Sequence, residues 1–171
     1  MLEKPNIEDH RDVIGDDKVD KLRERASQFS DKHIVHLNST FSGGGVAEIL
    51  RDLVPLMNDL GVETGWRILK GTPDFFQVTK KFHNALQGGE INMTDVKKKI
   101  YSTENQWNSE MNHFEDHDLV FVHDPQPLPS IEYNHNNHPW LWRCHIDLSD
   151  PNEVAWDYLK GFVNKYDGSI F

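Results

Sequence analysis

Residues 33–61, HIVHLNSTFSGGGVAEILRDLVPLMNDLG, decide the fold. The apolar run from His33 to about Leu37 reads as a short strand. It passes directly into Ser42-Gly43-Gly44-Gly45 and then into a helix. That helix sets Val46, Ile49, Leu50, Leu53, Leu56, Met57 and Leu60 on one stripe, with Gly61 at the position of a C-cap. Pro55 within it is expected to bend the helix or to lie on its exposed side. Strand, glycine turn and helix in this order open a βαβ unit.

The pattern continues outward from this unit. Upstream, Asp16 to about Phe29 carries Val19, Leu22 and Ala26 at helical spacing, with acids early and bases late, as the helix dipole favours. Downstream, a second strand is expected at 62–69. Two helices follow, PDFFQVTKKFHNALQ and the more polar TDVKKKIYSTENQWNSEM, the first with a core side of Phe75, Val78, Phe82 and Leu86. Asp118–His123 is a near-continuous apolar run, as in a buried parallel strand. Pro139–Ile146 is another strand, and a helix opens with Asp150 as N-cap and Pro151 at its first position. Ser169-Ile170-Phe171 reads as a last short strand or as the start of a longer one. The whole predicts an α/β fold with a doubly wound parallel sheet, residues 1–15 being an extension and 16–171 one domain.

A length of 171 residues suits a single domain with a substantial core. Hydrophobic residues make up 37% and charged residues 27%, within the range of ordinary globular proteins. Net charge is 18 − 28 = −10, which argues against a nucleic-acid partner because that affinity comes from clustered cations. Cys144 is the only cysteine, so no internal disulfide is formed. No apolar run approaches the roughly 20 residues that span a bilayer, and the polar start lacks the core of a secretory signal. A soluble, cytoplasmic protein with no membrane partner is expected.

Ligands of a parallel sheet lie beyond the carboxyl ends of its strands. Gly43, Gly44 and Gly45 lie there, and free N–H groups at the following helix start favour an anion. The turn lacks the lysine of a nucleotide-triphosphatase loop, and Glu48 stands where a dinucleotide fingerprint needs its third glycine. A plain tight turn with no ligand is the other reading. His123-Asp124-Pro125-Gln126 follows the third strand, and Arg143, His145 and Asp147 close the fourth. Imidazoles and carboxylates bind sugar hydroxyls, and Arg143 suits a phosphate or a carboxylate. A zinc or iron site built from His123, Asp124, His145 and Asp147 is a rival that matches no defined spacing. His135 and His138 read as solvated loop residues, Cys144 as a buried inert thiol, and the five tryptophans mostly as packing.

Four segments taken together carry a resemblance. HLNSTFSGGGVAEILRDLVPLMNDLGVETGW (36–66), VTKKFHNALQG (78–88), VHDPQP (122–127) and PWLWRCHIDLSDPN (139–152) resemble the N-terminal half of the trehalose glycosyltransferring synthases, a family of retaining GT-B glycosyltransferases. The resemblance implies a Rossmann-like, acceptor-side domain and a transfer of glucose from a nucleoside-diphosphate glucose to glucose. It implies Gly43, Gly44 and Gly45, with Arg143, at the donor phosphate and sugar, and His145, Asp147 and His123 at the reacting centre. Asn84, Gln87, Asp124 and Gln126 are implied for the acceptor. No metal and no cofactor beyond the nucleotide sugar is implied. The family's nucleotide-binding half is not among these residues, so a separate C-terminal GT-B domain is an expected partner, and a homodimer stays open. A binding module without catalysis, derived from such an enzyme, is the alternative.

Overall fold

A computed structural model of the chain describes residues 5–134 and 138–171, so His135 lies outside the described residues. Five parallel strands form one sheet in the order β2-β1-β3-β4-β5. They are β1 (His33–Asn38), β2 (Glu63–Ile68), β3 (Leu119–His123), β4 (Trp140–Arg143) and β5 (Gly168–Ile170). The helices are α1 (Arg11–Ile14), α2 (Asp16–Ser27), α3 (Gly45–Asp59), α4 (Pro73–Leu86), α5 (Asp95–Met111) and α6 (Glu153–Val163). The doubly wound α/β reading is therefore correct, and the domain is Rossmann-like. Winding runs outward from β1 to β2, then returns past β1 to β3. A topological switch point thus lies between β1 and β3, where sheets of this kind leave a crevice.

Strand alternation gives the sheet two unlike faces. Val35, Leu37, Val120, Val122, Trp140 and Trp142 point to one face and bury against Phe75, Phe82, Leu86, Tyr101, Leu159 and Phe162. All four expected core residues of α4 are in this core. The other face carries Ile34, Leu119 and Phe121 with Ala26, Met57, Leu60 and Val62, and is thinner. Polar His36 and His123 occupy this second face near the carboxyl ends of their strands.

Local chemistry explains the boundaries. Gly61 takes φ +86, and α3 ends with Gly61 N–H donating to Asn58 O and Val62 N–H to Met57 O. That reciprocal pair is the Schellman closure a left-handed glycine permits. Pro55 sits inside α3, which runs on through it. Thr72 and Thr94 cap α4 and α5 by accepting the N–H groups of Phe75 and Lys97. Residues 5–15 are docked on the domain: Ile7 is buried, its N–H donates to Asp59, and Glu8 pairs with Arg11 and Arg23.

Several expectations need correction. The N-cap of α6 is Asn152, whose side chain accepts the Ala155 N–H, so Asp150 and Pro151 precede the helix. The Asn152 N–H in turn donates to Ala85 O, which docks the helix start on the end of α4. The fourth strand stops at Arg143 because its partner β3 turns away at Asp124, where φ is +62. Of the α3 stripe, Leu50 is buried, whereas Ile49 is 44% exposed and most of the rest is half-buried. The helix lies over the β1–β2 edge, and only its inner flank meets the sheet. Leu22 is likewise exposed, because Val19 and Ala26 make the contacts of α2.

Candidate active site

The glycine turn follows β1, the His-Asp corner follows β3, and His145 lies two residues beyond β4. These three strands are adjacent and parallel, so all three groups stand on one rim of the sheet, at and beside the switch point. The turn braces itself: Asn38 donates to Thr40 O and accepts from Ser39 N–H, while the Thr40 hydroxyl donates to Ser42 O. Gly43 has φ +78, and neither Gly43 nor Gly45 has a neighbour within 4 Å of where a Cβ would sit. No side chain caps α3, so the first-turn N–H groups are open to a ligand from that space.

The His-Asp corner is held from below by α5. Tyr101 OH donates to Pro125 O, Asn105 Nδ2 donates to Gln126 O, and Ser109 Oγ donates to Ser130 O. Polar residues of α5, Asn105 and Ser109, are thus buried clamps on the loop that carries the site. Trp142 Nε1 donates to Asp124 O at 2.9 Å, and Asp124 N–H donates to Arg143 O. These bonds hold the left-handed turn at Asp124, whose Oδ1 accepts the His145 N–H at 2.7 Å. Burial pushes the Asp124 carboxyl above its ordinary range, while the His145 N–H and ring, His83 and Arg143 pull it back.

Three imidazoles form a chain under this corner. His36 Nδ1 lies 2.9 Å from His123 Nε2, and His123 Nδ1 lies 3.0 Å from His145 Nε2. His36 and His123 are buried, and His145 is half-buried. Burial lowers all three pKa values, His36 to about 4 and His123 to about 2, with the Arg143 cation adding to the effect. The chain is therefore neutral at pH 7. Both ring nitrogens of His123 are occupied by histidines, and it reaches the cleft only through His145.

Beside the corner, a cavity of about 380 Å³ is lined by Ser39, Phe76, Thr79, Lys80, His83, Asn84 and Gln126. Its size lies at the lower end of small-molecule sites. Gln126 lines this cavity, and its Oε1 is sealed from solvent without a hydrogen-bond partner among the described residues. Gln126 ties this cavity to the corner, since it lines the one and follows Asp124 of the other by two residues.

Of the residues marked in the sequence, Gly43, Gly44, Gly45, His123, Asp124, Gln126, Asn84, Arg143 and His145 come together on this rim. Two lie apart. Gln87 is exposed beyond the end of α4 and does not line the cavity. Asp147 is exposed and turned onto its own loop, accepting the Ser149 N–H and hydroxyl. His123, Asp124, His145 and Asp147 do not converge as a ligand set, and no such cluster of three or more occurs among the described residues. Cys144 is buried, and burial pushes its thiol up to about 11, as suits an inert residue. Among the described residues no helix is long and apolar enough to cross a membrane. His36, Ser39, Thr79, Lys80 and His83 join the site without having been marked; the one available signal was an imidazole inside the apolar strand β1.

The chain is similar to known proteins along most of its length. A family described as the N-terminal domain of trehalose synthase matches residues 36–171. The chain is 50% identical over 170 residues to a trehalose synthase of Thermococcus litoralis, covering 99% of this chain and 41% of that protein. It is 40% identical over 181 residues to one from Rubrobacter xylanophilus, covering 100% of this chain and 44% of that protein. A trehalose phosphorylase of Pleurotus pulmonarius is 27% identical over 177 residues, covering 90% of this chain and 24% of its own length. The chain thus spans about two fifths of the length of the synthases it matches. By its match along this rim and through the rest of the sheet, the chain belongs to the family of trehalose synthase N-terminal domains.

Proposed function

We propose that this chain supplies the acceptor side of a glycosyl-transfer cleft that makes α,α-trehalose from glucose and a nucleoside-diphosphate glucose, with retention. The observation that carries the reading is a polar cavity lined by Ser39, His83, Asn84 and Gln126 on the same sheet rim as the glycine turn and the fixed imidazole of His145. The cavity of Asn84, His83 and Gln126 takes the acceptor glucose. The open turn at Gly43, Gly44 and Gly45, with Arg143, faces the donor phosphates, and His145 faces the donor sugar.

Transfer breaks the bond from the sugar's anomeric carbon to the phosphate oxygen and forms a bond from that carbon to the acceptor hydroxyl oxygen. The departing phosphate takes the acceptor proton on the same face, so no enzyme nucleophile is needed. Charge builds on the leaving phosphate, where preorganised donors stabilise it without reorganising. Oriented binding of both sugars supplies the remainder. The donor nucleotide is held by a second domain, which the length of the synthases leaves room for.

Half a cleft binds donor weakly. The 171-residue chain alone is expected to form little or no trehalose, and addition of the C-terminal half of a related synthase to restore formation of the α,α-product. Robust synthesis by the chain alone would remove the two-sided cleft. Calorimetric heats with glucose, but no product with either half present, would favour the non-catalytic binding module instead.

A further inference from the structure

We propose that His123 is a positioning residue, which with His36 behind it holds His145 in the tautomer that turns an Nδ1–H toward the cleft. His145 then recognises an oxygen acceptor, a sugar hydroxyl or a phosphate oxygen, and does not act as a base. The use of that donor rests on the cleft proposed above; the tautomer does not.

The argument is one of counting protons. A neutral imidazole has one N–H and one lone pair, and each of the two contacts needs one of each. Only two arrangements satisfy both. In the first, His36 Nδ1–H donates to His123 Nε2, His123 Nδ1–H donates to His145 Nε2, and His145 carries its proton on Nδ1. In the second every bond is reversed, and His145 offers a bare Nδ1.

Two observations at opposite ends of the chain choose the first. At the inner end, His36 Nε2 is buried with no partner among the described residues. The first arrangement leaves a lone pair there, whereas the second leaves an N–H, and orphaned buried donors are the rarer defect. At the outer end stands the Asp124 carboxyl, which accepts the His145 N–H and, among the described residues, is the acid that acts on the His145 ring, where it outweighs the opposing Arg143 cation. A carboxylate at that end favours the positive, N–H end of the polarised chain. His145 Nδ1 has no hydrogen-bond partner among the described residues, and it is absent from the buried unpaired atoms that include His36 Nε2. It is therefore the ring nitrogen left to meet solvent or ligand.

The test needs no ligand. Two-bond proton–nitrogen correlation spectra of the ¹⁵N-labelled chain at neutral pH report each ring's tautomer. All three histidines are expected with Nδ1 protonated and Nε2 bare, the less common form of free imidazole. A spectrum with His145 or His123 protonated on Nε2 would overturn the proposal. In the His123→Leu variant His145 loses its donor and is expected to change to mainly Nε2–H, as in free histidine. Should that variant fold and His145 keep its Nδ1–H, His123 does not set the tautomer and the proposal fails. If the variant does not fold, the wild-type spectrum alone decides. Loss of glucose binding with the tautomers as expected would instead count against the cleft and leave the imidazole chain standing.

Discussion

Lowering the pH from about 7 to about 5 is expected to destabilise the fold by about 3–4 kcal/mol, through His36 and His123. Both are buried neutral, with pKa values lowered to about 4 and about 2 from the ordinary 6.5. Above 6.5 neither the folded nor the unfolded chain protonates them, so they add no pH dependence. Below 6.5 the unfolded chain takes up a proton that the folded chain refuses, and stability falls by about 1.4 kcal/mol per pH unit for each residue. The loss for His36 ends near its folded value of about 4. His117, His138 and His145 are lowered as well and act in the same direction, while the raised carboxyl of Asp124 opposes them weakly. Carboxylates held low by partners, such as Asp118 and Asp147, lose their contribution only as pH falls through their own lower range, so the window is set by histidine. Unfolding midpoints in urea across this window measure the slope. A midpoint that stays level from pH 7 to 5 would contradict neutral burial of the pair.

Asp124 is the second sensitive point, because one side chain and one backbone conformation meet there. Replacing it with alanine keeps a Cβ in the left-handed region without the polar side chain that makes aspartate tolerant of it, and leaves the His145 N–H without its acceptor. The two effects together are expected to cost about 2–3 kcal/mol, after allowing for release of a carboxyl that burial disfavours. Asp124→Asn keeps an Oδ1 acceptor in a residue that tolerates φ +62, so it is expected to stay within about 1 kcal/mol of the parent. Asp124→Gly relieves the backbone but loses the acceptor and falls between them. The order of urea midpoints should therefore be asparagine, glycine, alanine. An alanine variant as stable as the asparagine one would show that neither the turn nor the His145 bond matters to the fold.

The architecture was legible because its elements speak locally. The apolar run at 118–123 is a buried strand, Phe75, Val78, Phe82 and Leu86 keep one period, and Gly61 has the φ its position asked for. The rim was legible in part, since the glycine turn, the His-Asp corner and the Arg143–His145 stretch each follow an apolar strand. What stayed hidden is non-local. His36 is 87 residues from its partner in sequence, and only the order β1-β3-β4 brings three imidazoles into line. Nothing local marks the polar positions Asn105 and Ser109 as buried, because the loop they clamp lies 21 residues further on. Asn152 wins the cap over Asp150 because its N–H also docks on Ala85 O, a contact with a helix 67 residues earlier. Gln87 and Asp147 show the converse. The resemblance put Gln87 forward and its strand end put Asp147 forward, whereas Gln87 lies exposed past the end of α4 and Asp147 bonds to Ser149 of its own loop.

Amide and imidazole shift mapping of the chain during a glucose titration addresses the sugar-holding rim most directly. The account predicts that the largest changes cluster at Ser39, Thr79, His83, Asn84 and Gln126, with a smaller response at Asp124 and His145. Changes centred instead on the opposite rim, where Phe29, Ile34, Leu119 and Pro139 line a separate cavity of about 430 Å³, would contradict it, as would no change at saturating sugar.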